Sequence, residues 1–292
     1  MTCISLPCVF RFAPSPNGEM HLGHALSALV GYERARACGG RFLVRIEDID
    51  QGRTRHEFVA GIFADLAWLG IAWEEPVLVQ SQRLPAYRAA AERLEELGLL
   101  YPCFATRADI GAAAADGARD PDGAPLYPGI YKGRDAAEIA RRKAAGEAFA
   151  LRIDMEAALA AAAGKLRGDQ LTFTELAEDG TPQAIAADPA RWGDAVIVRK
   201  DVATSYHLSV VVDDAWQGVT HVTRGRDLYA ATGLHRLLQL LLDLPVPLYR
   251  HHRLIIDAAG RKLAKSARDT SLRSLRESGR TPADIRRMVG LG

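Results

Sequence analysis

The start of the chain constrains the fold most, because it has the pattern of a strand, a helix and a second strand. Residues 8–12 and 41–46 are short, mostly apolar runs of the kind that form buried strands. Between them, Leu26 and Leu29 have the spacing of a helix that ends at Gly39. Two strands joined through a helix must run parallel to each other. The sequence therefore predicts a parallel sheet of the α/β class.

The rest of the chain predicts that this sheet has two halves separated by an insertion. A helical stripe covers residues 58–69, and Thr54 with Glu57 indicates a capping box before it. The composition then shifts to Ala, Gly and Asp, with weak helical stretches and short strands. Strand character returns at residues 195–198 and 208–212. This order predicts a doubly wound nucleotide-binding domain that is interrupted once.

We expect four segments in this arrangement. The first half of the nucleotide-binding domain would span residues 1–101, an inserted α+β subdomain residues 102–192, and the second half residues 193–245. Residues 246–292 would form a loop with a lysine motif and a short helical C-terminal part.

Composition and charge exclude several classes of protein. No apolar run approaches the ~20 residues that a membrane span needs, and the N-terminus lacks the layout of a signal peptide. Cys3, Cys8, Cys38 and Cys103 have no paired spacing, so free thiols in a reducing cytoplasm are expected. The net charge is only +1, but residues 246–292 contain 11 Lys and Arg against 4 Asp and Glu. This basic end could hold a phosphate backbone, or it could be the solvated face of a small helical segment.

Two motifs at opposite ends of the chain indicate the chemistry. Residues 11–18, RFAPSPNG, lead into HLGH at 21–24, and residues 262–266 read KLAKS. Two histidines at the start of a helix can face one phosphate, and the free amides there favour an anion. Gly23 lets a nucleotide approach the backbone, and Lys265 is a mobile charge suited to the β- and γ-phosphates. Together the motifs predict a site where a carboxylate attacks the α-phosphate of ATP.

The sequence also offers residues for an acidic amino acid. A side-chain carboxylate needs a cation, preferably an arginine that binds both oxygens, and an α-ammonium group needs a carboxylate. Arg11 and Arg224 suit the first task and Glu47 the second, while Tyr206 can supply a hydroxyl. Plainer interpretations stay open at this point. The two histidines could be ordinary helix-start residues, Glu47 could belong to a salt-bridged turn, and Arg224 could pair with Asp227.

These motifs resemble those of class I aminoacyl-tRNA synthetases, specifically the glutamyl branch. The matching pieces run through almost the whole chain, at residues 11–18, 21–24, 45–50 (RIEDID), 212–214 (VDD), 224–228 (RGRDL) and 262–266. The resemblance implies a Rossmann-like sheet, an insertion of the acceptor-binding type, and ATP with Mg²⁺ as cofactor.

The resemblance also implies roles for individual residues. The catalytic residues would be His21, His24 and Lys265. ATP would be bound by His21, Gly23, His24, Lys262 and Lys265. Glutamate would be bound by Arg11, Phe12, Ala13, Pro14, Ser15, Glu47, Tyr206 and Arg224. In this set, Glu47 would hold the amino group and Arg224 with Tyr206 the side-chain carboxylate.

Two motifs depart from the family pattern. Short members of the branch often carry a zinc site built from C-x-C and a later Y-x-x-x-C, and here the four positions are Cys103, Ala105, Tyr127 and Tyr131. The remnants Cys103 and Tyr127 cannot form a closed tetrahedral site, so no structural zinc is expected. The lysine motif has Ala264 where a serine is usual. Because both lysines remain, we expect altered fine tuning and retained activity.

The short paralogues of this branch provide the preferred functional hypothesis. Full glutamyl-tRNA synthetases continue into an anticodon-binding region, whereas this chain ends 26 residues after Ser266. We expect a cytoplasmic monomer, without membrane association, that makes glutamyl-adenylate from L-glutamate. It would transfer glutamate to the queuosine base in the anticodon stem-loop of tRNA(Asp). The alternatives are a minimal glutamyl-tRNA synthetase that charges a tRNA 3′ end and a non-catalytic paralogue that binds tRNA or nucleotide. Chain length speaks against the first, and the retained His21, His24 and Lys265 speak against the second.

Overall fold

The computed structural model describes residues 8–114, 117–255 and 270–292. In these ranges the strands are β1 Val9–Phe12, β2 Arg41–Ile46, β3 Glu74–Val79, β4 Leu100–Cys103, β5 Ala150–Ile153, β6 Thr172–Leu176, β7 Pro182–Ala186, β8 Val196–Val198, β9 His221–Gly225 and β10 Leu248–His252. The helices are α1 Leu22–Ala37, α2 His56–Trp68, α3 Leu84–Glu96, α4 Arg107–Ala113, α5 Ala136–Ala144, α6 Met155–Leu166, α7 Tyr206–Trp216, α8 Ala231–Leu241, α9 Leu272–Glu277 and α10 Pro282–Met288. Within the described part of the chain, none of these helices is long and apolar enough to cross a membrane.

Seven strands form the central sheet, in the order β3-β2-β1-β9-β10-β6-β7. Every neighbouring pair is parallel except β6 with β7, which are antiparallel at one edge. The chain proceeds outward from β1 to β3 on one side, while β9 and β10 lie on the other, so the strand order reverses between β1 and β9. A crevice at the carboxyl ends of such strands is where this class of sheet binds its ligands. The mostly parallel sheet confirms the predicted fold class.

The predicted insertion contributes strands to two different sheets. β4, β5 and β8 form a separate antiparallel sheet, whereas β6 and β7 extend the central sheet. The small sheet therefore takes its outer strands from residues next to the predicted limits of 102 and 192. The division of the chain into four segments stays a prediction.

Two local predictions were wrong. Residues 208–212 lie in α7, because the Ser205 hydroxyl accepts an N–H bond at the start of a helix and caps it. The apolar run is the buried face of that helix. The capping box of Thr54 with Glu57 does not form, since the Thr54 hydroxyl donates to the carbonyl of Asp50 and α2 begins without a side-chain cap.

Helices α9 and α10 pack on the hydrophobic core between α1, α2 and the sheet. Leu272 and Ile285 are completely buried there. All four arginines of these two helices pair with carboxylates, and the pairs join Arg273 to Glu19 and Glu277, Arg276 to Asp65, Arg286 to Glu33 and Arg287 to Asp284. In the described residues 270–292, the positive charge that the sequence offered to a phosphate backbone is therefore largely balanced within the fold.

Arg45 on β2 joins the central sheet to α7. Its side chain is completely buried and donates to Asp214 Oδ1 at 2.7 Å, to Glu47 Oε1 at 3.1 Å and to Gln217 Oε1 at 3.0 Å. Burial alone would lower the pKa of Arg45, but the charges of Asp214, Glu47 and Asp213 outweigh it and raise this pKa. The guanidinium is thus the cation that three buried carboxylates share.

Replacing Arg45 with methionine should destabilise the protein by ~3–5 kcal/mol, because Glu47 loses its ion-pair partner and Asp214 keeps only Arg11 as a cationic partner. Arg41→Met, on the same strand, is the matched control. Its ion pair with Glu74 is exposed, and such pairs contribute only about 0–1 kcal/mol. Urea unfolding followed by circular dichroism measures both variants. Equal losses of unfolding free energy would show that the buried network does not hold β2 to α7.

Candidate active site

A cavity of about 420 Å³ opens at the carboxyl ends of β1, β2, β9 and β10. Its walls include every described residue that the sequence predicted for ATP or glutamate. They are Arg11, Phe12, Ala13, Pro14, Ser15, His21, Gly23, His24, Glu47, Tyr206 and Arg224. Lys262, Ala264 and Lys265 lie outside the described residues. The fold thus brings residues from distant parts of the sequence to one place, and their individual roles remain predictions.

His21 caps the N-terminus of α1 and fixes the tautomers of both motif histidines. The His21 N–H donates to Nδ1 of His24, and the Gly23 N–H donates to Nδ1 of His21, both at 3.1 Å. Because each Nδ1 accepts a hydrogen bond, each neutral ring carries its proton on Nε2. This tautomer suits donation to a phosphate oxygen. A Cβ on Gly23 would lie 2.9 Å from Cε1 of His21, so glycine also makes room for the capping ring.

Arg11 and Glu47 are held by buried partners whose pairing the sequence did not reveal. Arg11 donates from Nε and Nη2 to the two oxygens of Asp214, at 3.1 and 3.3 Å. Burial raises the pKa of Glu47 against the opposing charges of Arg45 and Arg11. Burial would raise the pKa of Asp214 too, but Arg11 and Arg45 lower it. An ammonium group placed beside Glu47 would favour the charged form of that carboxylate.

Arg224 is the second buried arginine of the cavity, and its partners are neutral. The side chain donates from Nε to His251 Nε2 at 3.1 Å and from Nη2 to Thr232 Oγ1 at 2.7 Å. Nη1 lies 3.2 Å from His235 Nδ1 and 3.5 Å from the Tyr206 hydroxyl. Arg224 has no ion pair with any carboxylate among the described residues, so the alternative pairing with Asp227 is not found. A buried guanidinium without an acidic partner is suited to an anionic ligand.

Three histidines support Arg224 in two hydrogen-bonded arms, one through His251 and one through His235 and His207. His251 Nδ1 lies 2.8 Å from Glu175 Oε2, and His235 Nε2 lies 3.2 Å from His207 Nδ1. Burial lowers the pKa of His251, although Glu175 opposes this, and burial with the charge of Arg224 holds the pKa of His235 well below its usual range. Burial lowers the pKa of His207 to about 4. All three rings are therefore neutral near pH 7. The three histidines belong to no sequence motif, so the sequence did not predict this cluster of His207, His235 and His251.

Nearly the whole chain matches one known family. Residues 7–291 fit the model described as tRNA synthetases class I (E and Q), catalytic domain. The chain belongs to this synthetase family. A glutamyl-Q tRNA(Asp) synthetase of Rhodobacter capsulatus is 48% identical over 97% of this chain and 100% of the relative. A glutamate–tRNA ligase 2 of Acidiphilium cryptum is 39% identical over 92% of this chain and 57% of its own length.

A solved structure shares the fold of this synthetase chain. It is a glutamate tRNA ligase from Elizabethkingia meningosepticum in complex with its amino acid, with a TM-score of 0.75 and 24% identity. The match covers 98% of this chain and 61% of that one. At this identity the similarity shows the fold alone.

The four positions compared with a zinc site in the sequence, Cys103, Ala105, Tyr127 and Tyr131, contain a single thiol. The Cys103 thiol donates to the Tyr127 hydroxyl at 3.3 Å, and that hydroxyl accepts the N–H of Tyr131 at 2.9 Å. Ala105 supplies no ligand, and residues 8–114, 117–255 and 270–292 contain no group of three or more His, Cys, Asp or Glu suited to a metal ion. One thiol with phenols does not match a closed structural zinc site. That the protein binds no zinc stays a prediction.

The buried imidazole of His207 should make stability depend on pH. An unfolded histidine takes up a proton near pH 6.5, whereas His207 in the fold does so only near 4, so its contribution is complete above about pH 6.5 and is lost as the pH falls towards 4. Between about pH 6 and about pH 5, the wild type should therefore lose about 1 kcal/mol more unfolding free energy than His207→Asn. Urea titrations at both pH values measure this difference. Parallel losses would mean that His207 is protonated in the fold.

Proposed function

We propose that this synthetase chain activates L-glutamate with ATP and transfers it to the queuosine base in the anticodon of tRNA(Asp). The observation that carries the first half is Arg224, a buried cation without an acidic partner among the described residues, in the same cavity as His21 and His24. The cavity therefore has an anion-binding group for an amino-acid side chain beside a nucleotide motif. The acceptor is supported by the 48% identity to a relative named for it.

Glutamate would bind through charges of opposite sign at its two ends. Its side-chain carboxylate would accept hydrogen bonds from Arg224 and the Tyr206 hydroxyl, with Arg11 and Ser15 completing the contacts. Its ammonium group would lie beside Glu47, whose charged form it stabilises. Phe12, Ala13 and Pro14 would line the path between these ends. Glutamine would leave the charge of Arg224 without an anion.

In the activation step, an oxygen of the α-carboxylate attacks the α-phosphorus of ATP. The bond from phosphorus to the bridging oxygen breaks, and pyrophosphate leaves with the electron pair. The Nε2–H groups of His21 and His24 would donate to the phosphate oxygens as charge develops there, at the positive end of the α1 dipole. Lys262 and Lys265, outside the described residues, would hold the leaving phosphates. Mg²⁺ bound to the phosphates would offset their charge.

In the transfer step, a hydroxyl of the acceptor attacks the carbonyl carbon of glutamyl-adenylate. The bond to the adenylate oxygen breaks, AMP leaves, and the hydroxyl proton passes to water. The sequence alternatives differ only in this acceptor or in the loss of catalysis. A minimal glutamyl-tRNA synthetase would use a tRNA 3′ end, and a non-catalytic paralogue would perform neither step.

Glutamate-dependent ATP–pyrophosphate exchange should proceed without tRNA. Arg224→Met should lower kcat/KM for glutamate by about 30-fold or more, because truncating a buried charged contact costs ~2–5 kcal/mol. Arg88→Met, an exposed residue of α3, is the control and should exchange like the wild type. Equal exchange rates in both variants would show that Arg224 does not bind glutamate. Exchange in the wild type with aspartate or glutamine at the same rate would contradict glutamate specificity.

The acceptor can be identified with radiolabelled glutamate and four preparations of tRNA(Asp). They contain or lack queuosine, each with either an intact 3′ end or a 3′ end without its terminal adenosine. Label should enter both queuosine-containing preparations and neither of the others. Labelling that needs the intact 3′ end and ignores queuosine would instead support the minimal glutamyl-tRNA synthetase.

A further inference from the structure

The charges of the buried arginines in the cavity wall and directly behind it are balanced in two different ways. Arg11 and Arg45 both donate to the carboxylate of Asp214, so their charge is largely balanced inside the protein. Arg224 is equally buried, but it donates to imidazole rings and a hydroxyl. Charged side chains are rarely buried without an opposite charge, because the low-dielectric interior penalises them. Arg224 therefore requires a physical explanation that Arg11 and Arg45 do not.

The hydrogen bonds fix where every proton of this cluster lies. A guanidinium only donates, so His251 Nε2 and His235 Nδ1 must both accept. His251 then carries its proton on Nδ1 and donates to Glu175, and His235 carries its proton on Nε2 and donates to His207. A second proton on either ring would break a bond to Arg224 and place two cations together. The cluster is thus built to supply neutral acceptors.

Glu175 is the carboxylate of this cluster, and it is separated from Arg224 by a ring. It accepts from His251 twice, from the backbone N–H to Oε1 and from Nδ1 to Oε2, both at 2.8 Å. It does not form an ion pair with Arg224 in the described structure. Thr232 also accepts from Arg224, through a neutral hydroxyl. All direct contacts of the guanidinium therefore orient it without balancing its charge.

We propose that His235 and His251 are positioning residues that determine the preference for a carboxylate side chain over an amide. They hold the Arg224 guanidinium in place with neutral acceptors, so that its positive charge is balanced only when an anionic substrate binds. This inference rests on the proposed activation of glutamate. A carboxylate in the place of either ring would orient Arg224 equally well but would balance its charge in advance. The free-energy difference between binding glutamate and binding glutamine would then shrink.

The test compares His235→Asn with His235→Asp, because the two side chains have the same shape and differ in charge. The asparagine Oδ1 can accept from Arg224 as Nδ1 does, whereas aspartate adds a negative charge. ATP–pyrophosphate exchange with glutamate and with glutamine gives KM and kcat for both substrates. In the Asp variant, KM for glutamate should rise by about tenfold or more, with a smaller change in kcat, as loss of one charge-assisted contact predicts. Its preference for glutamate over glutamine should fall by a similar factor, while the Asn variant keeps most of that preference.

Two further arms keep the result interpretable. His56→Asp, at an exposed position of α2 that does not line the cavity, introduces the same residue and should not change the preference. If melting shows that His235→Asp does not fold, His251→Gln and His251→Glu give the same comparison at the other acceptor. Equal changes in the Asn and Asp variants would show that the rings act only through packing and would overturn the inference. A wild type without glutamate-dependent exchange would instead overturn the proposed function itself.

Discussion

The buried carboxylate of Asp214 is the interaction on which the site depends. It lies on α7 and accepts hydrogen bonds from Arg11 of β1 and Arg45 of β2, so that one side chain joins a helix to two neighbouring strands. Arg45 in turn holds Glu47 at the end of β2. A buried ion-pair network of this kind contributes little net stability compared with apolar packing, but losing one member is costly. The network therefore fixes the geometry of the cavity wall.

The cavity combines compensated and uncompensated charge. On the side of β1 and β2, each cation has an acidic partner within the protein. On the side of β9 and β10, Arg224 is surrounded by neutral rings and hydroxyls. A substrate with an ammonium group and a side-chain carboxylate would complete both arrangements. The motif histidines at the start of α1 line the same cavity, so the proposed nucleotide site and the proposed amino-acid pocket would lie side by side.

Several parts of the fold and of the candidate site could be predicted from the sequence, and the reasons are physical. The strands at β1 and β2 are apolar runs between clear helix and turn signals, and the HLGH motif lies directly at the start of α1. The apolar run at 208–212 fits a buried strand and a buried helix equally well. The cap at Ser205 marks it as the start of a helix. His235 and His251 could not be found, because their partner Arg224 is fixed by tertiary packing and not by spacing. The basic charge of the C-terminal helices also had to be seen in three dimensions, since its acidic partners Glu19, Glu33 and Asp65 lie on distant segments.

If the proposed function is right, the Arg224 guanidinium binds the side-chain carboxylate of glutamate. A crystal structure with a non-hydrolysable glutamyl-adenylate analogue would show this contact. We expect both side-chain oxygens within hydrogen-bond distance of Arg224 and the Tyr206 hydroxyl, with the ammonium group beside Glu47. We also expect His235 and His251 to keep their contacts with the guanidinium. An analogue whose side chain points away from Arg224, or a bound state in which Arg224 turns to an acidic residue of the protein, would rule this binding mode out.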